Sequence, residues 1–200
     1  MSFTDTRLVD NGRTISYSVD VSTPLLALSG DLETTDRTLR RCVEQGLIRA
    51  RRPSPRKLEL SPAERVYLRA NWPTLERLRS ALRTEPKVRL AILFGSRARG
   101  DHRADSDVDL VVELDNPSQR HRLSERLEAA LGLRVQLALL EDAEGAPLLL
   151  EQVLEEGRVV VDRGQRWRAI IARSDAIARA ANRERERVRT EVDELVGSAA

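Results

Sequence analysis

The sequence predicts an α+β chain: short helices and a basic hairpin come first, then a β-sheet with flanking helices, then a long C-terminal helix. Three observations predict it. Helix-spaced leucines punctuated by capping residues dominate the first 84 residues. Beyond them, four short apolar runs, 88–94, 108–114, 134–140 and 158–161, alternate with helical stretches. From Gln165 onward, Trp167, Ile170, Ile171, Ser174, Ile177, Ala178 and Ala181 form one helical stripe that leads into a highly charged tail. Thr84-Glu85-Pro86 interrupts the helical pattern, so the expected division is 1–84 and 85–200.

Composition bounds the class. A chain of 200 residues holds one large or two small domains. Apolar residues are 40% and charged residues 33%, as in a globular protein with a charged surface. Aromatics are only 3%, so the core must be built from Leu, Val, Ala and Ile. The net charge of +2 neither favours nor excludes nucleic acid, which leaves the decision to local clustering. Cys42 is the single cysteine, which excludes an internal disulfide and points to a reducing, cytoplasmic setting. No apolar run approaches the ~18 residues of a membrane span, and no leader-like segment is expected.

Taken in order, Asn11-Gly12 signals a hairpin, followed by an alternating strand from Ile15 to Val21. Thr23-Pro24 opens a helix ending at Gly30. A second helix runs from Thr35 to Gln45, capped by Thr34 or Thr35 and closed by Gly46, with Leu39, Val43 and Leu47 on its buried stripe. Leu47-Ile48, a basic turn and Leu58-Glu59-Leu60 read as strand, turn and returning strand. Seven Arg and Lys lie between Arg40 and Lys57. Ser61-Pro62-Ala63-Glu64 starts another helix, which Pro73 is expected to interrupt and restart. This first unit resembles a winged helix-turn-helix. The resemblance implies DNA contacts to an operator-like site by Arg37, Arg40 and Arg41 on the second helix and by Arg51 and Arg52 on the wing. A winged domain used only for protein contacts is the alternative.

The most informative stretch is Leu93–Glu113. An apolar run ends in Gly95-Ser96, ten residues follow, and Asp107-Val108-Asp109 opens the next apolar run. Gly95 lets the backbone approach a phosphate, Ser96 offers a hydroxyl and an N–H, and Arg97 and Arg99 add positive charge. Asp107 and Asp109 are two apart on a strand and share a face. Like charges so placed call for a hard divalent cation between them, Mg²⁺ or Mn²⁺. Metal and phosphate anchors together suggest phosphoryl or nucleotidyl transfer. The bland alternative is a turn followed by a solvated acidic loop.

These residues resemble the G-S-x(10)-D-x-D signature of minimal nucleotidyltransferases of the polymerase-beta-like superfamily. The match includes Ala98-Arg99-Gly100 and Ser106 to Leu110. It implies a mixed β-sheet, ATP or another nucleoside triphosphate as substrate, Gly95, Ser96, Arg97 and Arg99 at the nucleotide, and Asp107 and Asp109 as catalytic metal ligands. It also implies a third acid on a neighbouring strand. Gln136 stands where that acid is expected, and an amide cannot take a proton at pH 7. Glu141 and Asp142 are substitutes at the far end of that strand, about 17 Å along it for Glu141, and Asp101 and Asp105 are nearer in sequence, on the loop. His102 and His121 read as surface groups.

Similar fusions act as antitoxins that transfer AMP to a partner toxin, often of the HEPN type, and related enzymes modify tRNA ends. The expected function is therefore Mg²⁺-dependent transfer of AMP from ATP to a toxin or RNA by a DNA-binding autoregulator. Gln136 leaves three states open: slow transfer, nucleotide and metal binding without chemistry, or a structural relic. The last two describe a non-enzymatic DNA-binding regulator whose transferase-like domain binds nucleotide or mediates assembly. The tail, with Val188, Val192 and Leu195 at near-heptad spacing, reads as an exposed ion-paired helix, a homodimer arm or a docking segment.

Overall fold

The computed structural model describes residues 25–54 and 57–198. The hairpin at Asn11-Gly12, the strand from Ile15 to Val21 and the Thr23-Pro24 helix start lie outside the described residues.

The first elements are α1 (Leu25–Asp31) and α2 (Asp36–Gln45). Thr35 caps α2 by accepting the Thr38 N–H at 3.1 Å, and Gly46 closes it at φ 86°. Leu47 and Ile48, expected in a strand, are not. Both backbone N–H groups bond back to the Cys42 carbonyl, at 2.9 and 3.2 Å, and both side chains are buried. Capping α2 uses the donors a strand would need. The hairpin therefore starts later, as β1 (Arg51–Ser54) paired with β2 (Lys57–Glu59).

The expected interruption at Pro73 does not occur, and α3 is one helix, Pro62–Arg83. Ser61 Oγ accepts the Glu64 N–H at 3.1 Å and starts it. Leu68, Trp72, Leu75, Leu78 and Leu82 form one buried stripe on both sides of the proline. Burying that stripe outweighs the single bond the proline deletes.

The sheet has the order β5-β4-β3-β6. Its strands are β3 (Val88–Phe94), β4 (Val108–Leu114), β5 (Val135–Leu139) and β6 (Arg158–Asp162). β3 is antiparallel to both neighbours. β4 and β5 are parallel, joined through α5 (Arg120–Leu131). The result is a mixed sheet. α3 and α5 pack on one face, where Leu82, Leu110 and Leu127 meet. The other face carries α7 (Pro147–Glu156), α8 (Arg166–Ile171) and α9 (Ser174–Ser198), where Ile92, Val111, Val153 and Ile177 meet. Cover on both faces explains why the central strands are apolar without alternation.

After β5 comes a short helix, α6 (Leu140–Glu144), and Glu141 and Asp142 are exposed at the end of β5 remote from Gln136, as their distance along the strand implies. One further expectation needs correction: the C-terminal helix is two helices. Asp162 accepts the N–H groups of Gly164, Arg166 and Trp167, fixing the start of α8, and the break before α9 lets both Ile170 and Ile177 reach the core.

Candidate functional site

The site lies where β3 ends and β4 and β5 begin. A five-residue helix, α4 (Gly95–Arg99), follows β3 without a linker. Gly95 is required there twice over. Its φ is +72°, and a Cβ would stand 2.5 Å from Asp109 Oδ2.

β4 presents Asp109 opposite Phe94 of β3 and, on its other side, in register with Gln136 of β5. In-register neighbours in a sheet point to one face, so Gln136 and Asp109 sit side by side. The Gln136 amide nitrogen donates to Asp107 Oδ2 at 2.5 Å, and Arg134 Nε lies 3.6 Å from Asp107 Oδ1. Burial pushes the Asp109 carboxyl up, and the charges of Asp107 and Glu156 push it further.

The two arginines beside the turn differ in role. Arg97 is buried, and its guanidinium donates to the carbonyls of Ser106 and Asp107. It ties the loop 100–107 to the turn and so sets where Asp107 emerges. Arg99 is exposed and reaches Glu156 at 2.6 Å and Asp101 at 3.1 Å. Ser96 is half-buried, and its carbonyl accepts the N–H groups of Gly100 and Asp101.

Sequence reasoning missed the residues that hold the turn from behind. Glu156, the last residue of α7, accepts the Gly95 N–H at 2.8 Å, the Gln152 amide at 2.7 Å and the Arg99 guanidinium. Burial pushes its carboxyl up, but the bonds from Arg99, Gly95 and Gln152 outweigh this and hold it below the usual range. Two residues on, Arg158 donates to the Ala98 carbonyl at 2.8 Å. Tyr67 of α3 donates its hydroxyl to the Arg97 carbonyl at 3.0 Å. Gly157 joins the two grips, where a Cβ would stand 2.2 Å from the Val153 carbonyl oxygen. In the sequence, Glu156-Gly157-Arg158 reads only as a helix stop.

Among the described residues, no three His, Cys, Asp or Glu side chains gather closely enough to hold a metal. Of the carboxylates at the turn, Glu156 is engaged by the Gly95 N–H, Gln152 and Arg99, which leaves Asp107 and Asp109 as candidate cation ligands. Gln136 offers them an amide nitrogen and would turn its oxygen inward only after a flip. Asp101 and Asp105 are exposed on the loop. His121 is exposed, as expected; His102 is half-buried, with an unpartnered Nδ1, and burial and then Arg97 lower its pKa.

Arg37, Arg40 and Arg41 are exposed on α2, and Arg51 and Arg52 on β1. Arg40 pairs with Asp36 at 2.6 Å and Arg51 with Glu59 at 3.0 Å.

Comparison with known proteins gives this arrangement a context. Residues 76–166 match the family described as "Polymerase beta, Nucleotidyltransferase". Protein adenylyltransferase MntA of Thermococcus cleftensis is 42% identical over a match covering 33% of this chain and 77% of the relative. A protein provisionally named a protein adenylyltransferase in Methanocaldococcus jannaschii is 40% identical, covering 32% of this chain and 68% of the relative. Among solved structures, a toxin–antitoxin crystallised with AMP-PNP superposes with a TM-score of 0.50 at 25% identity, covering 59% of this chain and 97% of that one. The sheet, the Gly95 turn and the paired aspartates fall within the matched span, and the chain belongs to the polymerase-beta nucleotidyltransferase family.

Proposed function

We propose that this protein transfers AMP from ATP to a partner protein, a toxin of the HEPN type, in a reaction that depends on Mg²⁺ or Mn²⁺. The observation that carries this reading is the left-handed Gly95 turn set against Asp109, with Asp107 beside it. The names of the similar proteins, adenylyltransferase and toxin–antitoxin with AMP-PNP, support AMP as the group moved and a toxin as acceptor. A tRNA end is the other acceptor class.

Asp107 and Asp109 would hold the cation, with the Gln136 amide oxygen as a neutral third donor once the amide has flipped away from its bond to Asp107. The raised Asp109 carboxyl supports this, because a like-charged pair gains most from a divalent ion. Transfer of AMP breaks the bond between the α- and β-phosphates and releases pyrophosphate; such an ion, when bound, would supply positive charge against the negative charge on the α-phosphate oxygens and the departing pyrophosphate. The chain's own residues do the rest. Gly95 gives close backbone approach, Ser96 contributes its hydroxyl and N–H, and Arg99 neutralises phosphate. Arg97 keeps the Asp107 loop in place. Gln136 takes no proton, so it does not act as the base for the acceptor hydroxyl.

In the same proposal, residues 1–84 form a winged helix-turn-helix and residues 85–200 the transferase unit. Arg37, Arg40, Arg41, Arg51 and Arg52 contact an operator-like DNA site. The supporting observation is that all five are exposed.

Incubation with Mg²⁺ and labelled ATP, with and without the neighbouring gene product, tests the transfer. Label should pass to the acceptor with the wild type and not with Asp107→Ala. A second reading, a regulator that binds nucleotide without chemistry, is favoured by the Gln136 contact to Asp107. It predicts tight operator binding and no labelled acceptor. Binding to operator DNA unchanged by Arg37, Arg40 and Arg41 substitutions would remove the DNA assignment.

A further inference from the structure

We propose that Glu156 is a positioning residue that makes triphosphate binding at the Gly95 turn conditional on a cation. The inference rests on reading that turn as a nucleotide site.

Glu156 does two things at once. Its Oε1 accepts the Gly95 N–H at 2.8 Å, which orients the first peptide of the turn. Its Oε2 accepts Arg99 NH1 at 2.6 Å, which engages the exposed cation best placed to meet a phosphate. The side chain is only 11% exposed, so water screens its charge weakly. Asp107, Asp109 and Glu156 therefore place three negative charges around the turn. Arg97 is turned away to the Ser106 and Asp107 carbonyls, and Arg99 is shared with Asp101.

A triphosphate approaching this turn meets the three carboxylates and an Arg99 already committed to one of them, while Arg134 is held at Asp107. Asp107 and Asp109 would hold a divalent cation, whose charge would offset theirs and leave Arg99 free to exchange Glu156 for the phosphate. Glu156 thus penalises the metal-free nucleotide while keeping the backbone in the geometry that receives the metal-bound one. No proton moves and no bond breaks in this role; it is a matter of placed charge.

Glu156→Gln separates the two tasks. The amide oxygen still accepts the Gly95 N–H, but the charge is gone, and an amide N–H facing Arg99 releases it. AMP-PNP affinity is measured by calorimetry on the full chain in EDTA and in Mn²⁺. For the wild type, binding in Mn²⁺ should be far tighter than in EDTA. In Glu156→Gln the EDTA affinity should rise about tenfold and the ratio of the two affinities should fall by the same factor, as expected for removing one nearby weakly screened charge. Gln152→Ala removes one neutral donor from Glu156 at an exposed position and should move the ratio the other way. A structural role alone would lower both affinities and leave their ratio unchanged. An unchanged ratio in both variants, with wild-type binding intact, overturns the inference. A wild type that binds AMP-PNP in neither condition overturns the nucleotide reading and this inference with it.

Discussion

Arg158 and Glu64 meet through two hydrogen bonds, 2.6 and 2.9 Å, with side chains only 2% and 5% exposed. Arg158 also donates to the Leu47 carbonyl, and its guanidinium carbon lies 3.5 Å from the centre of the Tyr67 ring. Glu64 accepts the Arg49 N–H as well, and the Arg49 side chain reaches the Glu156 carbonyl. The pair thus joins the segment after α2, the start of α3, the Gly95 turn and β6.

Breaking this pair from one side should cost about 3–5 kcal/mol, because the remaining charge stays buried. Arg158→Met and Glu64→Leu should each show that loss in urea unfolding. The double variant should recover only part of it, since the Arg49 N–H and the Leu47 and Ala98 carbonyls still lose their partners. Strictly additive losses would show that the two side chains do not act as a pair.

Gly95→Ala should fold but lose cation and nucleotide affinity by about tenfold or more, because the left-handed turn is strained and the new methyl displaces the Asp109 carboxylate. Calorimetry with Mn²⁺ checks it; wild-type affinity would refute the close approach.

Asp109 predicts a trade between site and stability. Its folded carboxyl is raised, so the folded state holds its proton more tightly than the unfolded state does. Ionising it therefore costs stability once pH rises through the unfolded and then the folded value. Asp109→Asn should raise the thermal midpoint at pH 7 without cation, by a shift on the order of 2 °C. The gain should shrink as pH falls below the ordinary carboxylate range. Glu156 has the opposite sign: its lowered carboxyl stabilises the fold at neutral pH, and that contribution disappears on acidification through its folded value. A Glu156→Gln stability loss that persists in acid would contradict it.

Gln136→Asp should restore an acid beside Asp107 and Asp109. Three like charges then lower the thermal midpoint without cation, while Mn²⁺ affinity rises about tenfold and midpoint recovery on adding Mn²⁺ becomes larger than in the wild type. Unchanged Mn²⁺ binding would show that Gln136 does not face the ion.

Much of the site was legible because it is local. Gly95, Ser96, Asp107 and Asp109 announce themselves through spacing, and strand periodicity alone puts both aspartates on one face. The place of Gln136 beside them was legible only through the family resemblance; the register that sets it next to Asp109 belongs to the folded sheet. Arg97 was misleading because it is local: adjacency to the turn suggested a phosphate ligand, yet its side chain turns inward to the Ser106 and Asp107 carbonyls. Glu156 and Arg158 were not legible, since each acts about 60 residues away in the chain, on Gly95 and Ala98.

The helices divide in the same way. Thr35, Gly46 and Ser61 act within one turn of where they stand, so capping rules placed α2 and the start of α3. Pro73 and the α8–α9 break went against local rules, because the burial of Trp72 and Leu75 in one case and of Ile170 and Ile177 in the other decided them. The sequence alone determined the signature turn and its paired carboxylates, whose geometry depends on neighbours a few residues apart. Only the tertiary structure decided what grips that turn, since hydrogen bonds from α3, α7 and β6 converge there after the sheet has brought distant segments together.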